Sequence, residues 1–212
     1  MPLAGCIVFV GASMIAAVVT TIAEPTASLT KLAGRLASGG HRLTVVGDAK
    51  GPAEFSLPGS EFFSLADQQK MPFVLSAVLP VGHYTRKNIG YLCAMRRSPE
   101  SIYETDDDNA PLESWTIREL TASVRQVRAD GWLNAYKYFT NEFIWPRGLP
   151  LDQVRNGSFA AHALVAAPHE ATAPIQQGLA DNSPDVDAVW RLLHDKPFTF
   201  DRRPSVCLQP GT

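Results

Sequence analysis

The sequence predicts an α/β fold: a single Rossmann-like domain with a mostly parallel central sheet flanked by helices. Three observations predict it. An apolar run closes at Ile22, a helical pattern follows at once, and a second apolar run follows the helix. A strand–helix–strand order requires a crossover, which is right-handed and leaves its two strands parallel. A later strand then ends in three consecutive aspartates, at the end of the sheet where such folds hold ligands.

Ile15–Ile22 is apolar and β-branched, as in a strand buried on both faces. Glu24-Pro25-Thr26 signals a helix start. Leu29, Leu32, Ala33 and Leu36 recur at helical spacing, and Gly39-Gly40 ends the pattern. Arg42–Gly47 is the next strand, closed by Asp48. Glu61–Ser64 suggests a third short strand, and Asp67–Pro80 a short helix and loop around Met71-Pro72. Arg86–Met95 reads as a helix with Ile89, Leu92, Cys93 and Met95 inward. Ser101–Thr105 is a strand, with Asp106, Asp107 and Asp108 at its end. Residues 111–155 are aromatic and irregular, 160–167 reads as a strand, and Ser183-Pro184-Asp185 opens a helix to about His194. A strand-like fragment follows near the end.

Composition narrows the classes. The chain has 212 residues, 45% hydrophobic and 19% charged, with a formal net charge of −2. That suits one globular domain and excludes a solvating chain. The absence of a basic excess argues against nucleic acid as a partner. Cys6, Cys93 and Cys207 are widely spaced and form no C-x-x-C pair, so neither a zinc ribbon nor a redox dithiol is indicated. Met1–Ala23 carries no charge and is long enough for a membrane span or an export signal. It lacks basic residues on its amino side and is broken by Gly5, Gly11 and Ser13. Residues 1–13 are read as an apolar extension and 14–212 as the folded domain, with membrane association left open.

The aspartate run carries the clearest chemistry. Like charges this close raise one another's pKa unless a cation offsets them. Mg²⁺ or Mn²⁺ takes hard oxygen ligands and keeps positions for substrate phosphates. In an extended segment Asp106 and Asp108 share a side while Asp107 faces elsewhere. The alternative is a solvated acidic turn. An EF-hand loop counted from Asp106 would need Gly and Glu where Pro111 and Ile117 stand. A phosphatase D-x-D-x-T and a DD-x-x-D motif both fail at Ala110, and there is no Walker A or strand-following G-x-G-x-x-G. Arg86-Lys87-Asn88 opens a helix, either as a diphosphate site or as a solvent-facing basic turn. Asp48, with Lys50 beside it, is either an acceptor for a base or ribose or a turn-former. His162 reads as a core or edge residue. Asp181, Asp185 and Asp187 suit a helix dipole. Trp145-Pro146-Arg147-Gly148 is either an acceptor-facing wall or core packing.

The segments Val18–Ile22, Val45–Asp48, Arg86–Tyr91, Ile102–Asn109, Ile144–Gly148 and Gln177–Asp187 together resemble, in this order, the STELLO family of probable glycosyltransferases. The resemblance covers residues 15–212. Arg-Lys-Asn-Ile-Gly-Tyr followed closely by Glu-Thr-Asp-Asp-Asp-Asn is its most specific part. It implies a GT-A-like nucleotide-diphospho-sugar transferase fold with an Asp-x-Asp metal site. Thr20, Thr21 and Ile22 would then hold the base, and Asp48 with Lys50 the nucleoside. Arg86, Lys87 and Asn88, with Asp107, would lie at the diphosphate. Asp106 and Asp108 would hold Mn²⁺ or Mg²⁺. The expected donor is a nucleotide-diphosphate sugar, and the acceptor a glycan, a lipid or a protein. No catalytic base is identified. The resemblance suggests a Golgi or secretory membrane in a eukaryote, and otherwise the cytoplasm. Family members continue past Pro210-Gly211-Thr212, so the domain is expected to be incomplete at that end. Two further readings stay open: a non-catalytic scaffold of the same fold, and a metal-dependent phosphohydrolase.

Overall fold

The computed structural model describes residues 14–127, 132–155, 167–202 and 205–208. The chain divides into two compact units, Met1–Trp115 and Thr116–Thr212.

The first unit opens with β1 (Ile15–Thr21), buried along nearly its whole length. Helix α1 (Ala27–Ser38) follows, capped by the Thr26 hydroxyl on the Leu29 amide and closed at Gly39. Strand β2 (Arg42–Gly47) and strand β3 (Ser60–Phe63) come next. Two short helices, α2 (Leu65–Gln69) and α3 (Val74–Val78), lead to a 3-10 turn at Tyr84–Arg86. Helix α4 (Lys87–Met95) then returns the chain to β4 (Ser101–Glu104). The sheet order is β3-β2-β1-β4, and every pairing is parallel. The parallel α/β architecture expected from sequence is therefore present.

Alternation along β1 sorts the two faces of the sheet. Ile15, Ala17 and Val19 join Leu43 and Val45 beneath Leu29, Leu32, Ala33 and Leu36 of α1. Ala16 and Val18 face the other way, against Ala94 of α4. The sheet is thus covered on both sides, which is why β1 and β2 read as largely apolar runs. Gly90 lets α4 come down onto the sheet, since a Cβ there would lie 2.5 Å from Val18 Cγ1. Met95, expected inward, is 59% exposed because it falls in the last turn, beyond the edge of that contact.

The second unit contains β5 (Thr121–Val127), α5 (Leu151–Arg155), β6 (His169–Thr172), α6 (Ala188–His194) and β7 (Ser205–Leu208). Its sheet order is β6-β5-β7, with β6 antiparallel and β7 parallel to β5. A separate aromatic core gathers Tyr136, Trp145, Trp190, Phe198 and Phe200. Helix α6 starts later than Ser183 because Val186 is held extended in a bridge to Pro146, and Asp187 becomes its cap. The strand expected over 160–167, and His162 within it, lie outside the described residues except for Ala167.

Candidate functional site

Strand β1 has β2 on one side and β4 on the other. The chain winds outward from β1 through β2 to β3, then crosses back to β4. The β1/β4 junction is therefore the topological switch point, where open α/β sheets form a crevice beyond their carboxyl ends. The segments after β1, β2 and β4 all emerge at that end, and most of the candidate residues lie on them.

The acidic segment is a tight turn rather than an extended strand end. The Asn109 amide donates to the Asp106 carbonyl at 3.3 Å, so simple alternation does not set its side-chain directions. Three hydroxyls hold the turn. Thr21 Oγ1 donates to Asp107 Oδ2 at 2.5 Å, Thr26 Oγ1 donates to the Asp107 carbonyl at 2.7 Å, and Ser28 Oγ donates to the Asp108 carbonyl at 3.0 Å. Asp107 is half-buried, whereas Asp106 and Asp108 are exposed. Asp106 Oδ1 accepts from Lys87 Nζ at 2.9 Å, and the same ammonium donates to Glu104 Oε1 and to the Thr105 carbonyl. Burial pulls the Lys87 pKa down, but bonding to Glu104 and Asp106 outweighs it and holds the ammonium above its ordinary value.

Asp48 follows β2. Its carboxylate accepts from the amides of Ala49 at 2.7 Å, Gly82 at 2.9 Å and His83 at 2.9 Å. Partial burial raises its pKa, but these bonds and the Arg86 charge prevail, and the group lies below its usual value. Asp48 thus ties the loop before α4 to the end of β2. Lys50 is exposed in the turn after it. Thr20 is half-buried on the α4 side of β1, and Ile22 is 55% exposed.

Arg86 lies in the 3-10 turn and is only 1% exposed. Its Nε donates to Gln68 Oε1 at 2.7 Å and its Nη1 to the Leu79 carbonyl at 3.1 Å, whereas Nη2 has no partner among the described residues. Gln68 in turn donates to the carbonyls of Gly47 and Phe63, fastening α2 to the carboxyl ends of β2 and β3. Asn88 Nδ2 donates to the Thr85 carbonyl at 2.9 Å. Of the predicted cationic pair, Lys87 meets the acidic turn, while Arg86 is buried against Gln68 and Leu79.

The second unit resolves the remaining candidates. Trp145 is 2% exposed within the aromatic core, so it is packing rather than a wall. Arg147 and Asp185 form an exposed ion pair at 3.1 Å. Asp181 accepts from the Phe200 amide, and only Asp187 serves a helix start. Tyr136, buried and donating to the Asp185 carbonyl, has its pKa pushed up to about 12, by burial first and then by the Asp185 charge.

The donor set bears on the kind of cation the turn suits. Among the described residues no three His, Cys, Asp or Glu side chains gather closely enough for an all-protein cage. Two exposed carboxylates on one turn instead fit Mg²⁺ or Mn²⁺, which are commonly held by one or two carboxylates with phosphate oxygens and water completing the shell. Lys87 occupies Oδ1 of Asp106, and the carboxylate has a second oxygen to offer.

Sequence reasoning missed Ser28, Glu104 and Gln68. Thr26 was visible as a helix start, but its bond to the acidic turn spans 81 residues and leaves no local trace. Glu104 is the last residue of β4, and its pairing with Lys87 leaves no mark in the local sequence.

The fold and the site define a class: a Rossmann-like α/β domain with an acidic turn and a lysine at the switch point of its parallel sheet. No protein-family model matches the chain. Two curated proteins of Arabidopsis thaliana are similar to it. "Probable glycosyltransferase STELLO1" is 28% identical over 81% of the chain, and "Probable glycosyltransferase STELLO2" is 27% identical over 85%. The chain thus resembles the STELLO proteins over most of its length. The chain spans about a quarter of the length of these relatives, 25% and 26%. Among the described residues no helix is long and apolar enough to cross a membrane.

Proposed function

We propose that this chain is a metal-dependent glycosyltransferase domain that binds a nucleotide-diphosphate sugar at the β1/β4 switch point. The observation that carries the reading is the acidic turn at the carboxyl end of a parallel sheet, with Asp106 and Asp108 turned outward and Lys87 alongside. The relatives named as probable glycosyltransferases support the general class of reaction.

In this reading Asp106 and Asp108 hold Mn²⁺ or Mg²⁺. When bound, the ion supplies Lewis-acid and electrostatic stabilisation of the departing nucleoside diphosphate. Lys87, fixed between Glu104 and Asp106, adds positive charge at the same place. Thr20 and Ile22 border the base side, Asp48 and Lys50 the nucleoside side, and Asn88 the start of α4. The acceptor is a glycan, a lipid or a protein.

The test is calorimetric titration of the protein with UDP or GDP in the presence of Mn²⁺. Binding is expected for the wild type and lost in the Asp106→Ala, Asp108→Ala double variant. Absence of binding by the wild type, or equal binding by the variant, removes the reading. One observation favours a second reading, a non-catalytic scaffold of the same fold: both cations expected at the diphosphate already serve internal partners. Nucleotide binding without sugar transfer or hydrolysis of the donor distinguishes that case.

A further inference from the structure

We infer that Asp107 is not a ligand of the bound cation or nucleotide. It is the anchor of the acidic turn, and Thr21 is the positioning residue that holds it. The inference rests on the metal reading above and concerns how the two outer carboxylates are set in place.

The three aspartates divide by environment. Asp107 is half-buried and its Oδ2 is taken by the Thr21 hydroxyl, itself 4% exposed at the end of the central strand. Asp106 and Asp108 stand in solvent. Counting donors settles which way the Thr21 proton points. The hydroxyl has one proton and two lone pairs. The Ala23 amide donates to it at 3.0 Å, filling an acceptor site, while its contact to the Ala23 carbonyl is long at 3.5 Å. The proton is therefore directed at the carboxylate, an ionic acceptor and the stronger partner.

The same count holds one turn along. Thr26 Oγ1 accepts from the Leu29 amide at 3.1 Å, as the cap of α1, and its proton goes to the Asp107 carbonyl at 2.7 Å. Ser28, in the first turn of the same helix, takes the Asp108 carbonyl. One residue of the turn is thus gripped at side chain and backbone by β1 and α1 together. Both contribute buried residues to the main core cluster of this unit. A turn pinned at its middle residue leaves the side chains on either side pointing outward. Lys87, on α4 across the sheet, then fixes Asp106 from the opposite side. Asp107 is consequently a poor ligand: turning it toward a cation would break the bond to Thr21 and strand a nearly buried hydroxyl without its acceptor.

The test measures Mn²⁺ affinity from the electron paramagnetic resonance of the free ion, with and without UDP. Thr21→Val keeps the shape and removes the hydroxyl. It is expected to weaken Mn²⁺ binding about tenfold, the size usual for losing a partner that orients a metal ligand. Thr21→Ser, which restores the hydroxyl, is expected to keep wild-type affinity. Asp107→Asn retains an acceptor for Thr21 and is expected to lose less affinity than Asp106→Asn. Ile89→Val, a core change away from the turn, controls for stability and is expected to leave Mn²⁺ binding unchanged. Wild-type affinity in Thr21→Val overturns the positioning role. So does a loss in Asp107→Asn as large as in Asp106→Asn, which would make Asp107 a ligand. Failure of the wild type to bind Mn²⁺ overturns the metal reading, and this inference with it, so the two failures are distinguishable.

Discussion

Replacing Gly90 by alanine tests how α4 meets the sheet. The added Cβ would lie 2.5 Å from Val18 Cγ1 and 2.9 Å from Val46 Cγ2. Carbon atoms at rest sit about 3.5–4.0 Å apart, so the overlap is close to an ångström. Neither neighbour can yield. Both are valines buried in the central strands, and β-branched side chains have few rotamers to move into. The helix must lift instead, at about 1–3 kcal/mol for overpacking a tight core. The helix propensity of alanine returns about 1 kcal/mol. The balance is a loss of about 0–2 kcal/mol. Gly34 provides the opposite case within the same unit. It lies in α1, is exposed, and a Cβ there would meet nothing within 4 Å. Gly34→Ala is therefore expected to stabilise by about 0.5–1 kcal/mol. Urea unfolding of both variants at a common slope reads the two signs directly. A gain in Gly90→Ala equal to that in Gly34→Ala would refute the close approach of α4 to β1 and β2.

Three further outcomes follow from the site. Lys87→Met removes the ammonium shared by Glu104 and Asp106 and is expected to cost about 1 kcal/mol, tempered by the exposure of both carboxylates. Because the folded pKa of Lys87 is raised, this difference is full below the unfolded value of about 10.4 and fades as pH climbs through the folded one, which urea midpoints across pH 7–11 check. For Asp48 the sign reverses. Its pKa is lowered by the Gly82, Ala49 and His83 amides, so its contribution is full above about pH 4 and is lost as pH falls through the folded value. The stability gap between wild type and Asp48→Asn should narrow from pH 6 to pH 3, and a constant gap would contradict the loop tie. Asp108→Asn relieves repulsion within the turn. For charges about 7 Å apart in water-like surroundings it is expected to stabilise by roughly 0.5 kcal/mol at low salt and by almost nothing at high salt, measured as a melting temperature in both.

The parallel sheet was legible because burial on both faces leaves a plain mark, the uncharged, largely apolar runs within Ile15–Thr21 and over residues 43–47. Helix α1 was legible for the complementary reason: one face is buried, so Leu29, Leu32 and Leu36 repeat at helical spacing. Strand β4 and its aspartates were visible together. Less visible was anything set by pairing across the chain. Strands β5 and β6 were overlooked, since Thr121–Val127 alternates only weakly in burial and His169–Thr172 has no apolar face. Arg86 had the look of a ligand-binding cation, and nothing near it in sequence announces that Gln68 and Leu79 enclose it. Within the acidic turn, composition showed three equivalent aspartates. Their inequality comes from Thr21, Thr26 and Ser28, some 80 or more residues earlier.

Charge economy shows why that inequality matters for function. Glu104, Asp106, Asp107 and Asp108 crowd one end of β4, and among the described residues Lys87 pairs with two of them, Glu104 and Asp106. Elsewhere in the same unit a lone carboxylate, Glu113, has both Lys31 and Arg35. A surface selected for stability alone would distribute its cations the other way. Lys87 itself cannot relax the imbalance by reaching further, because Glu104, Asp106 and the Thr105 carbonyl already take its three protons. Asp107 is satisfied by a hydroxyl, which bonds the carboxylate without cancelling its charge. The turn is thus rigidly held but electrically unbalanced, and holding it rigidly prevents the carboxylates from separating to relieve their repulsion. Under the proposed metal reading, a divalent cation held by Asp106 and Asp108 would supply the missing charge, and the hydroxyl grip would keep the turn set for it.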